Sequence, residues 1–105
     1  MREIKSGAEH ATRVFCMDEQ TEHGLCRDYI IRENTEKPFQ DLVHVHFQEG
    51  LAEEVGVNGC CVEDLIAICL DRLFTTKTRK HSSVGVSIAV TKLEDAMLAL
   101  NAITE

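Results

Sequence analysis

At 105 residues, 44% of them hydrophobic, with one proline and six glycines, the chain has room for a single domain (1–105) with a modest core, and shows no long disordered linker. Its net charge of −7 disfavours general attraction to nucleic acid polymers or anionic lipid. No run of about 18 apolar residues offers a membrane span, and Met1-Arg2-Glu3-Ile4-Lys5-Ser6-Gly7 has no apolar stretch of the signal type, so a cytoplasmic protein is expected.

Residues 12–17 (Thr-Arg-Val-Phe-Cys-Met) read as a short strand, and residues 18–24 supply turn chemistry with Asp18, Thr21 and Gly24. A second strand over 25–32 places Leu25, Tyr29 and Ile31 on one face, interrupted by Arg27, and makes a hairpin with the first. Residues 33–41 hold Pro38 and form a loop. In residues 42–48, Val43, Val45 and Phe47 alternate with His44, His46 and Gln48, a pattern that buries one strand face and wets the other. A short extended piece is expected through Val55, followed by a tight turn at Gly56-Val57-Asn58-Gly59.

The second half is helical. Over 62–75, Val62, Ile66, Cys69 and Leu73 make one apolar stripe, broadened by Leu65, Ile68 and Leu70. Because every position from 65 to 70 is apolar, this helix needs cover on more than one side, and a homo-oligomer is expected. A second helix over 84–104 carries Val86, Val90, Leu93, Met97 and Leu100, with Ser82 or Ser83 as its cap. The fold class is therefore α+β: a small antiparallel sheet (about 12–55) followed by a two-helix antiparallel hairpin (about 60–104).

The five cysteines (Cys16, Cys26, Cys60, Cys61, Cys69) are odd in number and include no Cys-x-x-Cys, which reads as reduced, core-filling thiols without a disulfide. His44 and His46 share a strand side, and His23 could approach them, yet spacing fixes no third ligand; no metal or other cofactor is expected. Glu63 and Asp64 read as charges favouring the first turn of their helix. No nucleophile stands in a recognisable motif with a histidine, so no catalytic residue is assigned.

Charge distribution is more telling than its total. No acid lies between Asp71 and Glu94, while Arg72, Lys77, Arg79, Lys80 and Lys92 lie in that window. Lys77, Arg79, Lys80 and His81 directly precede a helix start, where cationic side chains and unpaired N–H groups converge on an anion. A phosphate-bearing small molecule suits such a site. Gly-x-x-x-x-Gly-Lys-Ser/Thr is absent, so nothing points to ATP hydrolysis.

The segments Phe47-Gln48-Glu49-Gly50, Glu54-Val55-Gly56-Val57-Asn58-Gly59, Leu65-Ile66-Ala67-Ile68 with Asp71-Arg72-Leu73, and Thr91-Lys92-Leu93-Glu94-Asp95-Ala96 resemble the phage anti-Thoeris nucleotide sponges, over about 42–100. Their helical part resembles the hairpin module shared with phage anti-CBASS sponges. The resemblance implies an oligomer that sequesters a small-molecule cyclic nucleotide (a cyclic ADP-ribose isomer or a cyclic oligonucleotide) in the host cytoplasm without cleaving it. It carries Arg72 over as a ligand-binding residue; Lys77, Arg79, Lys80 and His81 rest on charge and position. The chain departs from the family at 81–86, His-Ser-Ser-Val-Gly-Val, where an aromatic and Arg-Glu-Asn-like stretch is usual, and the sequence stops at Glu105, where the family usually continues into a basic tail. Two alternatives use the same residues differently: an interaction module with no small ligand, and a nucleotide-degrading enzyme with His44, His46 or His81 as general acid or base.

Overall fold

The computed structural model describes residues 1–18, 26–77 and 83–103. The chain divides into two compact units, Met1–Cys60 and Cys61–Glu105.

The first unit is a meander of four antiparallel strands, β1 (Arg2–Ile4), β2 (Thr12–Cys16), β3 (Asp28–Glu33) and β4 (Asp41–His46), in the order β1-β2-β3-β4. β1 is an addition to the strands expected from the sequence. It is three residues long, two of them charged, too short for an alternation to register. Its anchor is electrostatic: Glu3 takes a paired contact from Arg13 of β2, at 2.8 and 2.9 Å, and a third bond from Lys5 at 3.1 Å.

Register sorts the side chains into two faces. Ile4, Val14, Ile31 and Val43 lie in one cross-strand row, with Cys16, Tyr29 and Val45 in the next; Tyr29 meets Phe47 edge-to-face at 5.7 Å. The opposite face carries Arg13, Phe15, Ile30 and Arg32. There the Arg32 guanidinium lies 5.1 Å from the Phe15 ring centre and 4.2 Å from that of Phe39, and Asp41 holds it at 2.6 Å. Among the described residues of this unit, Cys16 and Ile30 are buried, one on each face. Val43, expected to be buried, is 46% exposed, because β4 is the edge strand of the sheet that the described residues form.

After β4 the chain does not continue extended to Val55. Residues Ala52–Val55 form a single helical turn, α1, ended by Gly56 at φ 79°; the positive φ is why glycine stands there. The loop then returns to the strand: Phe47 and Cys60 form a parallel bridge, and the Cys60 N–H donates to His46 C=O at 2.8 Å.

The expected thiol state needs correction. Cys16 and Cys26 are joined by a disulfide, leaving Cys60, Cys61 and Cys69 free. The residues are 10 apart in sequence, yet the hairpin brings their Cα atoms to 6.3 Å, within the range a disulfide spans. Counting cysteines could not show this, because the proximity comes from strand pairing.

The second unit is a helical hairpin of α2 (Val62–Lys77) and α3 (Val84–Ile103), which pack on each other. Asp64 accepts the Cys61 N–H at 3.0 Å, one half of a capping box, which bears out its reading as a capping charge. Ser83 caps α3 by accepting the Val86 N–H at 3.2 Å. Among the described residues of the pair, Ile66 and Val90 are buried. Val62 and Cys69, placed on the core stripe by spacing, are exposed, as are Ile68 at 66% and Leu98 at 70%. One partner helix covers one side of an all-apolar turn and leaves the other open.

Candidate functional site

Three arrangements could carry function, and each stays within one unit. The first is the basic stretch after α2. Arg72 is exposed on α2, and Lys77 is the last residue of that helix. Five positions of α-helix turn the chain by about 140° between them, so Arg72 and Lys77 do not share one helix face. Arg79, Lys80 and His81 lie outside the described residues, as does Ser82, the other candidate cap. On the far side, α3 begins with Val84, Gly85 and Val86 and has no acidic residue in its first turn. An anion arriving there meets no carboxylate from that turn, and the helix dipole favours it. Phe74, 44% exposed, is the aromatic of α2, whereas Phe15 and Phe39 are covered by Arg32 and Tyr29 pairs with Phe47.

The second arrangement was only half visible in the sequence. His44 and His46 do project to one side of β4, as alternation requires, and both point at a single oxygen of Asp28. Nε2 of His44 lies 2.9 Å and Nδ1 of His46 lies 2.6 Å from Asp28 Oδ1. Register explains the meeting: Asp28 is the direct partner of His46 and the diagonal neighbour of His44. The hydrogen bond from His46, and then that from His44, hold the Asp28 carboxyl below its ordinary value, against the opposing effect of burial. An imidazole oriented by a carboxylate is the arrangement of a general acid or base. Among the described residues, no group of three His, Cys, Asp or Glu is placed to hold a metal ion. Asp28 is not legible as a site residue in the sequence because its relevance depends on strand register; its one signal is an acid entering an apolar strand.

The third is the loop from Gln48 to Cys60, which its own side chains lace shut. Gln48 Oε1 accepts the N–H groups of Asn58 at 2.8 Å and Gly59 at 3.2 Å, while its Nε2 donates to Gly56 C=O at 2.9 Å. Asn58 in turn accepts the Glu49 N–H at 2.8 Å and donates to Glu49 C=O at 2.9 Å. Gly59 passes so close to β4 that a Cβ there would stand 2.5–2.6 Å from the backbone of Phe47, Gln48 and His46. The Val-Gly-Val-Asn-Gly signature thus has a mechanical meaning: Gly56 for positive φ, Asn58 for lacing, and Gly59 for contact. The loop holds Leu51, Val55 and Val57 outward, the last 84% exposed.

No helix among the described residues is long and apolar enough to cross a membrane.

A four-stranded antiparallel sheet followed by a helical hairpin defines a small α+β protein, and no family model matches the chain. It is similar to a particular phage protein, the one named Thoeris anti-defense 1 of Bacillus phage SBSphiJ7, with 40% identity over 60 residues. The match takes in 57% of this chain and 42% of that relative, so it spans less than half the relative's length. It bears out the resemblance to anti-Thoeris proteins read from the sequence.

Proposed function

We propose that this chain is a phage anti-defence protein that captures a cyclic nucleotide immune signal reversibly and releases it unaltered. The observation that carries this reading is the 40% identity with a protein named for countering Thoeris defence. Two features support it. Positive charge gathers in an acid-free window from Arg72 to Lys92 within a chain of net charge −7, and that window leads into a helix start without an acid in its first turn. The ligand phosphates are assigned to Lys77, Arg79, Lys80 and His81 at the entrance to α3, with Arg72, carried over by the resemblance, as a further ligand contact.

The proposal includes assembly. Ile68, Val84, Ile88 and Leu98 are each more than half exposed on α2 and α3, a density of open apolar side chains that a second copy would cover. Sequestration requires abundance and affinity, not turnover, which suits a small oligomer in the cytoplasm of an infected cell. A thermal-shift screen across cyclic ADP-ribose isomers and cyclic oligonucleotides tests the ligand class. Stabilisation by none of them would leave an interaction module without a small ligand.

One observation favours a second reading. Asp28 orients His44 and His46 as it would a general acid–base pair, so a nucleotide-degrading enzyme is the alternative. Mass analysis of the nucleotide after incubation separates the two: intact ligand supports capture, and cleaved ligand supports the enzyme.

A further inference from the structure

The mouth of the β2–β3 hairpin is closed twice, once by sulfur and once without it. Cys16 and Cys26 are bonded across it. Beside them, the Asp18 carboxylate, 12% exposed, accepts the Arg27 N–H at 3.0 Å on one oxygen and the Asp28 N–H at 3.1 Å on the other. Met17 N–H donates to Asp28 C=O at 2.8 Å. These bonds join the two backbones without using either sulfur.

The same backbone also suits the reduced pair. Asp18 C=O lies 3.6 Å from Cys16 Sγ, and Asp28 C=O lies 3.3 Å from Cys26 Sγ. Each sulfur thus has a backbone carbonyl beside it to which a freed thiol could donate. Access is unequal: Cys16 is 2% exposed and Cys26 is half-buried, so a reagent from solution meets Cys26 first.

We propose that Cys16 and Cys26 form a reversible redox clasp, a dithiol–disulfide couple whose two states share one backbone, exchanging with a low-molecular-weight thiol and its disulfide. In the oxidising direction, the Cys26 thiolate attacks one sulfur of the small disulfide, releasing one small thiolate and forming a mixed disulfide. The Cys16 thiolate then attacks the Cys26 sulfur and displaces the second small thiolate. Two electrons pass from the cysteines to the small disulfide, and the two cysteine protons end on the two released thiols. Reduction is the reverse. Asp18 is a positioning residue in this scheme, because it keeps the sulfurs adjacent in the reduced state and so raises their effective concentration in the second, intramolecular step. The inference is independent of the proposed ligand.

The test uses the full chain equilibrated in glutathione buffers of graded thiol-to-disulfide ratio, quenched by alkylation and weighed. The expected result is a reversible passage between the five thiols of the sequence and the three of Cys60, Cys61 and Cys69. Peptide mapping should place the bond at Cys16 and Cys26, and exchange protection of the Arg27 and Asp28 amides should persist in the reduced state. Asp18→Ala retains both cysteines and should move the midpoint ratio about tenfold toward the dithiol, because without the hold the reduced chain gains a freedom that forming the disulfide must then remove. Cys26→Ser should fold and label at every remaining thiol in every buffer. Five labelled thiols at all ratios, a bond reaching Cys60, Cys61 or Cys69, a sheet that unfolds on reduction, or an unmoved midpoint in Asp18→Ala would each overturn the clasp.

Discussion

Gln48 and Asn58 hold one another through the backbone: Gln48 Oε1 accepts the Asn58 N–H at 2.8 Å, and Asn58 Oδ1 accepts the N–H of Glu49, the neighbour of Gln48, at 2.8 Å. The pair turns a stretch with little regular structure into a fixed loop, and it sets the space left at Gly59. With the loop laced this tightly, nothing larger than hydrogen fits between Gly59 and β4.

Gly59→Ala should therefore be among the most damaging small substitutions in the first unit. Its Cβ would sit 2.5 Å from the Phe47 carbonyl carbon, and backbone cannot yield as a flexible side chain can. A loss of about 2–4 kcal/mol is expected in denaturant titration, in the range of severe overpacking. Gly85→Ala is the matched control: its Cβ would meet only Ser83 Oγ at 3.5 Å, an ordinary contact, so the change should be neutral or stabilising by up to about 1 kcal/mol.

Acid sensitivity should trace to Asp28. Its carboxyl is held below the ordinary range by His46 first and His44 second. A group whose folded pKa is depressed contributes stability above its unfolded value and loses it as pH falls through the folded value. The advantage of wild type over Asp28→Asn should thus be present above the ordinary carboxylate range and shrink as pH falls below it. Glu3, lowered to about 2 chiefly by its hydrogen bond from Arg13, has the same sign, so Glu3→Gln should show the same convergence. A gap between wild type and Asp28→Asn that stays constant across this range would remove the histidine–carboxylate cluster as its source.

Much of this architecture is legible in the sequence, and the exceptions share a cause. Alternation in β4 and apolar spacing in α3 are local patterns, and both elements stand close to where those patterns place them. Local pattern cannot supply anything made by register. Asp28 meets the two histidines only because β3 and β4 pair as they do, and Cys16 meets Cys26 only because the hairpin folds back. α1 reads as extended because four residues carry no helical period. The stripe through Val62 and Cys69 assumes cover that one partner helix does not give.

That missing cover predicts assembly. Light scattering at micromolar concentration should report at least a dimer, with a closed even-numbered ring as the expected form. Ile68→Asp should lower the mass while leaving the helical signal intact, because Ile68 is 66% exposed in the single chain. A wild-type monomer under these conditions would end the argument from the apolar turn of α2.

The central claim is capture without cleavage at the cationic entrance to α3, and calorimetry on wild type and Arg79→Ala/Lys80→Ala, followed by mass analysis of heat-released nucleotide, tests it most directly. Two charge-assisted phosphate contacts at about 1.5–3 kcal/mol each imply a loss of about 100-fold or more. The account predicts that loss in the double variant, with its circular dichroism unchanged, and a nucleotide leaving wild type with its mass intact. A double variant that binds as tightly as wild type, or a nucleotide that comes off cleaved, would contradict it.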